Sequence, residues 1–196
     1  MDSKIGLDRC FGDGDPLMER YHDEEWGVPT HGDSEHYELL VLEGAQAGLS
    51  WRTILLRREA YRRAFSGFDP AKVSLYSSET IDDIIANTGI IRNRLKVESA
   101  VNNARAFLEV QSDFGSFDNY VWGFVDHKPI MNSYTDWRQV PPETDISRAM
   151  SRDLKKKGFT FVGPTICYAY MQSAGMVNDH LTHCFRWKQI AEKYRS

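Results

Sequence analysis

Asn87-Thr88-Gly89-Ile90-Ile91-Arg92 separates two stretches of helical periodicity. Before it, Ser77-Ser78-Glu79 form a cap ahead of Ile81, Ile84 and Ile85. After it, Val97, Val101, Ala104, Phe107 and Leu108 share one stripe of a long helix. Moving outward, Asp33 or Ser34 is a candidate N-cap for a helix through Leu39, Leu40 and Val41 towards Gly48. A second helix is expected from Trp51 to Phe65, ended by Phe68-Asp69-Pro70. Ser116 starts another, carrying Phe117, Tyr120, Val121 and Phe124. One more runs from Ser147 to Lys157 and stops at Gly158, and Gly163-Pro164-Thr165 opens a core helix ending near Gly175. Residues 1–33 lack periodicity, and Lys128 to Asp145 reads as a loop. Phe159-Thr160-Phe161-Val162 is the one strand-like run. The expectation is an all-α fold in a single domain spanning 1–196.

Composition bounds the function. A chain of 196 residues, 41% hydrophobic and 12% aromatic, can bury a real core. It has no apolar run of about 18 residues and no signal-peptide pattern, so no membrane partner and a cytoplasmic setting are expected. Three scattered cysteines fit a reducing compartment better than a disulfide framework. A net charge of −4 argues against indiscriminate coating of nucleic acid. It leaves room for local basic patches: Arg52, Arg57, Arg58, Arg62 and Arg63; Arg92, Arg94 and Lys96; Lys155-Lys156-Lys157. Each is equally a solvated helix face.

Leu42-Glu43-Gly44-Ala45-Gln46-Ala47-Gly48-Leu49-Ser50-Trp51 places one carboxylate between an apolar run and a string of small residues walled by an indole. Small side chains leave space, and a carboxylate beside space and an aromatic face suits a flat, polar-edged, cationic ligand. The same segment also suits a closely packed helix that turns Glu43 to solvent, as most glutamates are turned. Cys10 and His22 lie near one end of the chain, His180 and Cys184 near the other. The i,i+4 spacing of the second pair puts both on one face of a helical turn. Two thiolates and two imidazoles form a closed tetrahedral set suited to structural zinc; four unrelated residues are the other reading. Asp179 and His183 are alternative ligands or supports.

The turn at Asn87–Ile91 resembles a helix-hairpin-helix, whose outward backbone N–H groups and nearby cations, Arg92 and Lys96, bind phosphate without reading sequence. An ordinary αα-corner with a C′ glycine has the same signature.

Together these residues resemble the 3-methyladenine DNA glycosylase I family, within the helix-hairpin-helix glycosylases, from about Arg9 to Cys184. The resemblance is carried by Tyr21-His22-Asp23-Glu24-Glu25-Trp26-Gly27-Val28-Pro29, by Glu43 to Trp51, and by Gly89-Ile90-Ile91-Arg92. Gly158-Phe159 through Gly163-Pro164-Thr165-Ile166-Cys167-Tyr168 and Val177-Asn178-Asp179-His180 add to it. It implies a helix-hairpin-helix DNA glycosylase fold with the hairpin at 79–110. One structural Zn2+ per chain, held by Cys10, His22, His180 and Cys184, would join residues 1–33 to 176–196. Tyr21, Trp51, Phe11 and Glu43 would form the base pocket, with Glu43 the catalytic residue. Gly48 and Leu49 would fill the gap left by a flipped nucleotide, while Gly89, Ile90, Ile91, Arg92 and Lys96 hold the DNA. Met18, Phe11 and Ala45 depart from residues that some relatives carry, and 185–196 extend past the motifs as a short added helix.

The implied activity is monofunctional base-excision repair: a monomer flips a nucleotide of double-stranded alkylated DNA, hydrolyses its N-glycosidic bond and releases free 3-methyladenine. Alkylation at N3 already makes the base cationic, so it departs neutral without a strong general acid. Glu43 would recognise the base first and orient water second. No Schiff base at Lys96 and no strand cleavage are expected. A zinc-stapled DNA adaptor without catalysis, and a metallohydrolase with an open zinc held by His22, His180 and one cysteine, are the competing readings. A buried Glu43 beside Trp51 argues against the first, and a fourth ligand against the second.

Overall fold

Asp15 accepts a hydrogen bond from the Leu17 N–H and is followed by Pro16, so the chain turns helical at once into α1, Pro16–Glu24. The computed structural model describes residues 8–87 and 89–194; Thr88 of the expected hairpin, and residues 1–7 and 195–196 of the expected domain, lie outside them. Helix α2 is Asp33–Gln46, α3 Trp51–Leu55, α4 Arg58–Ala64 and α5 Pro70–Val73. Helix α6 is Ser78–Asn87, α7 Arg94–Phe114 and α8 Phe117–Trp122. Helix α9 is Asp145–Lys156, α10 Pro164–Ser173 and α11 Phe185–Tyr194. Among the described residues two strands, β1 (Ile130–Met131) and β2 (Val177–Asn178), pair in parallel with Ile130 opposite Val177. Among the described residues no helix is long and apolar enough to cross a membrane.

Local chemistry sets these boundaries. Side chains of Ser50, Asp69, Asn93 and Ser116 accept hydrogen bonds from the first turns of α3, α5, α7 and α8. Thr144 and Ser147 form a reciprocal capping box on α9. Asp33 corrects its expected role. Gly32 is the N-cap of α2, and the Asp33 carboxylate instead accepts from the N–H groups of Phe117 and Asp118, at 3.0 and 2.8 Å. It thereby ties α2 to the start of α8.

The predicted stripe on α7 is buried at Val97, Val101, Ala104 and Phe107, and α7 packs against α2, α5, α6 and α8. Phe107 stacks on Phe117 with ring centroids 4.0 Å apart. Truncating such a buried ring to alanine costs about 3–5 kcal/mol. Helix α10 packs between α2 and α9. His36 of α2 accepts from the Tyr170 hydroxyl of α10 at 2.7 Å and donates to Asp118 at 2.9 Å. This pins the helix that carries Glu43. A second, smaller apolar cluster of Tyr21, Trp26 and Leu55 is flanked by Phe11, Leu17, Met18 and Trp51.

Three expectations are corrected. The helix expected from Trp51 to Phe65 breaks at Leu56–Arg57, because Leu55 serves the small cluster while Tyr61 and Phe65 serve the main core. Phe159–Val162 is not a strand: Phe161 has φ +54°, which breaks an extended run. Residues 180–184 form a turn before α11 rather than a helical one, closed by the Cys184 N–H donating to Leu181 O.

Candidate active site

Helix α2 delivers Glu43 inward, not to solvent. The residue is 3% exposed, and its Oε1 accepts a 2.6 Å hydrogen bond from Ser173 Oγ at the end of α10. Tyr21 OH lies 3.1 Å from the same hydroxyl. With the Ser173 proton directed at Glu43, Tyr21 donates to Ser173, forming a chain that ends on the carboxylate. Burial pushes the Glu43 carboxyl up to about 7 against the lowering effect of the Ser173 bond. Burial, and then the Glu43 charge, push Tyr21 far above its ordinary value, so it stays a neutral donor.

A cleft of about 200 Å³ opens in front of this chain. Its walls are aromatic or apolar: Phe11, Met18, Tyr21, Trp26 and Trp51, with Gln46 and Gln172 supplying amides. Tyr21 and Trp51 rings lie 5.5 Å apart, tilted by 48°. Met18, whose place was open, lines the cleft, and so does Phe11. Glu43 and Gln46 also border a groove of about 270 Å³ with Ala47, Gly48, Leu49 and Ile166. Gly48 has φ +81°, a conformation glycine adopts at little cost, and it turns Leu49 outward to 40% exposure. A separate cleft of about 250 Å³ on the other side of Ser173 is lined by Glu24, Glu25, Glu35 and Glu38 with Arg58. Its acidic lining is wrong for a polyanion.

Cys10, His22, His180 and Cys184 converge: their ligand atoms all lie within 4.8 Å of one another, so the group could hold a metal ion. The four sulfur–nitrogen distances run from 3.3 to 3.6 Å. Bonds of about 2.3 Å to sulfur and 2.0–2.1 Å to nitrogen at tetrahedral angles give an edge of about 3.6 Å, so the donor set fits zinc. Tautomers fit as well. His180 Nε2 donates to Trp26 O at 3.0 Å, and His22 Nδ1 donates to Asp23 Oδ1 at 3.0 Å. Each ring thus presents its free lone pair to the two sulfurs. Arg9 holds Asp23 through two bonds of 2.8 and 2.9 Å, a support that sequence reasoning did not single out. Asp179 is not a ligand, since its carboxylate accepts from Asn132, Tyr168 and Gln172. His183 is exposed and outside the cluster.

At the α6–α7 turn, Gly89 has φ +35° and Arg92 is exposed. Ile90 turns into the core at 5% exposure, and the Ile91 N–H donates to Tyr61 OH at 3.3 Å. Lys96, expected as a phosphate contact or surface residue, is partly buried. Its ammonium donates to the carbonyls of Ala45 and Ala47, at 2.8 and 2.7 Å.

A mostly helical protein that aims a buried carboxylate into an aromatic-walled cleft, beside a groove bordered by an exposed Leu49, has the build of an enzyme for a flat, electron-poor ring. A model of the methyladenine glycosylase family matches residues 11–187, and the chain belongs to that family. It is 49% identical over 164 residues to the DNA-3-methyladenine glycosylase of Haemophilus influenzae, covering 84% of this chain and 89% of the relative. It is 45% identical over 179 residues to DNA-3-methyladenine glycosylase 1 of Escherichia coli, covering 91% and 96%. A solved 3-methyladenine DNA glycosylase I variant in complex with 3-methyladenine superimposes with a TM-score of 0.87 at 36% identity, over 89% of this chain and 94% of that one.

Proposed function

We propose that this chain is a monofunctional DNA glycosylase that flips a nucleotide out of alkylated duplex DNA and hydrolyses its N-glycosidic bond, releasing 3-methyladenine. One observation carries the reading: the Glu43 carboxylate is buried, yet borders a cleft walled by Tyr21 and Trp51. A cationic N3-methylated adenine stacks on electron-rich rings and offers its exocyclic amine to an anionic acceptor, whereas neutral adenine lacks the charge. The names of the relatives, and the base held by the solved variant, support the same substrate.

Bond breakage needs little from the protein. Water oxygen bonds to the anomeric carbon as the glycosidic pair returns to the base and cancels its positive charge. The water proton passes to solvent or to Glu43. Recognition is the principal role of Glu43, and with a carboxyl near pH 7 it can also orient the water. Gly48 and Leu49 would occupy the gap in the duplex, and Gly89 and Arg92 would grip the backbone at a helix-hairpin-helix turn. Cys10, His22, His180 and Cys184 would hold one structural Zn2+. With four protein ligands it supplies a cross-link and leaves no position to activate water. Monomeric action in the cytoplasm, as a single domain, completes the reading.

The test is direct. Methylated genomic DNA is incubated with the protein, and liberated bases are identified by chromatography. Release of 3-methyladenine without strand cleavage is expected. Folded protein that frees none, or frees unmodified adenine as readily, overturns the proposal.

A further inference from the structure

We propose that Lys96 is a positioning residue that links the DNA grip of the α6–α7 turn to the carboxylate and wedge at the end of α2. This rests on the glycosylase reading above and adds a residue that contacts neither the base nor the reacting bond.

A helix ends on carbonyls without partners and carries partial negative charge there, which a cation in the last turn usually offsets. Helix α2 has no basic residue in its last turn. It leaves helical geometry at Ala47, with φ −44° and ψ 113°, and Gly48 then reverses the chain at φ +81°. Lys96 reaches across from α7 and donates to the Ala45 and Ala47 carbonyls. These are charge-assisted bonds in a partly buried place, stronger than bonds between neutral groups.

Lys96 is fixed at its own backbone too. Its N–H donates to the Asn93 side chain at 3.2 Å, in the cap that starts α7. One residue therefore joins the first turn of α7 to the last turn of α2. Arg92, an exposed cation of the hairpin, lies four residues before it. Glu43 lies two residues before Ala45, and Leu49 two residues after Ala47. The positions of the base-facing carboxylate and of the wedge are both referred, through two hydrogen bonds, to the element that would hold phosphate. Two of the three ammonium donors are spent on those carbonyls. The third is left for solvent or a phosphate, so the salt slope has to separate a positioning role from a phosphate contact.

The test compares the parent with Lys96→Met and Lys96→Arg. Base release from methylated duplex is measured in single turnover with enzyme in excess. 2-Aminopurine beside the lesion reports entry of the wedge. Affinity for undamaged duplex is followed against salt, and binding of free 3-methyladenine reports the pocket itself. For Lys96→Met the expected results are release slowed about 10–100-fold and a weakened 2-aminopurine signal. Undamaged-duplex affinity should stay within about threefold of the parent, with an unchanged salt slope. Free-base binding should also stay within about threefold. Lys96→Arg, whose guanidinium can bridge both carbonyls, should return release to within about fivefold of the parent.

Release at the parent rate by Lys96→Met overturns the proposal. So does a salt slope reduced by about one with release restored at high enzyme, the mark of a phosphate contact. Lost free-base binding, which would make Lys96 a general support of the fold, overturns it equally. A parent that frees no 3-methyladenine removes the glycosylase reading and this one together. An active parent beside an unimpaired Lys96→Met removes only this one.

Discussion

Glu43→Gln should make this protein worse at its chemistry and better at staying folded, with a gain that depends on pH. The substitution keeps size and an oxygen for Ser173 to donate to, and removes only the charge. A unit charge facing a cationic ring at about 4 Å, at an effective dielectric near 20, is worth up to about 4 kcal/mol. Release of 3-methyladenine should therefore fall by about 10²–10³-fold. Stability moves the other way. Burial lifts the Glu43 carboxyl from 4.5 to about 7, so the folded state binds that proton more tightly than the unfolded chain. A group raised in the folded state contributes its full share of stability below the unfolded value and loses it as pH rises through the folded value. Here the loss runs from about pH 4.5 to 7. At 1.36 kcal/mol per pH unit the accumulated cost above pH 7 is about 3 kcal/mol. Glutamine does not incur it. Glu43→Gln should exceed the parent by about 3 kcal/mol at pH 8 and by only about 1 kcal/mol at pH 5. For a chain of this length the pH 8 difference is a rise of about 6–12 °C in melting temperature. Denaturation of both proteins at the two pH values measures it. A pH-independent difference, or a less stable Glu43→Gln at pH 8, would refute the claim that a desolvated carboxylate is held in the cleft at the expense of the fold.

Ser173→Ala removes the hydrogen bond that holds Glu43 down, so the rise of kcat/KM with pH, expected near 7 in the parent, should move to higher pH; an unmoved profile refutes the Ser173 link. Arg92→Glu should weaken damaged and undamaged duplex alike and reduce the salt slope, as titrations at several ionic strengths would show; loss confined to damaged DNA contradicts a backbone grip. Cys10→Ser or Cys184→Ser should release bound zinc to a colorimetric chelator and lower the melting temperature by about 10 °C, slowing base release without abolishing it. Gly175→Ala should destabilise by about 3 kcal/mol or more in denaturant unfolding: Gly175 has φ +68°, and a Cβ there would lie 2.3 Å from Pro29 N and Val28 C.

Much of this was legible before the coordinates. Helical stripes on α6, α7 and α8 follow from spacing, and the cap at Ser116 needs only the next few residues to act. What escaped depends on partners distant in sequence. Phe159–Val162 looks like a strand because it alternates, yet its ladder partners are side chains. Asn103 donates to Thr160 O and accepts from the Thr160 N–H, both at 2.9 Å, and Ser151 donates to Val162 O. The β1–β2 pair is two residues long on each side and joins segments far apart, so no periodicity announces it. The residue types of the Cys/His set were readable, and so was the value of a carboxylate beside small residues and Trp51. Ser173, the last residue of a largely apolar helix, gave no signal. Lys96 gave an incomplete one, since the carbonyls of Ala45 and Ala47 that it meets are distant in sequence.

The Cys/His cluster also bears on the pocket, through sequence adjacency. Cys10 precedes Phe11, Tyr21 precedes His22, and His180 Nε2 donates to Trp26 O. Phe11, Tyr21 and Trp26 are all walls of the cleft beside Glu43. These walls come from the segment before α2, which contributes α1 and little other regular structure, and they pack in the small cluster rather than the main core. A wall built on so little hydrophobic support needs another constraint if it is to stack a ring at fixed spacing. Four ligands drawn to one ion would supply it, fixing one atom beside, or bonded to, each of the three aromatic residues. Such an ion would touch no reacting atom and would still matter for stacking, through the walls its ligands adjoin. The ligands stand where the pocket, more than the termini, requires them.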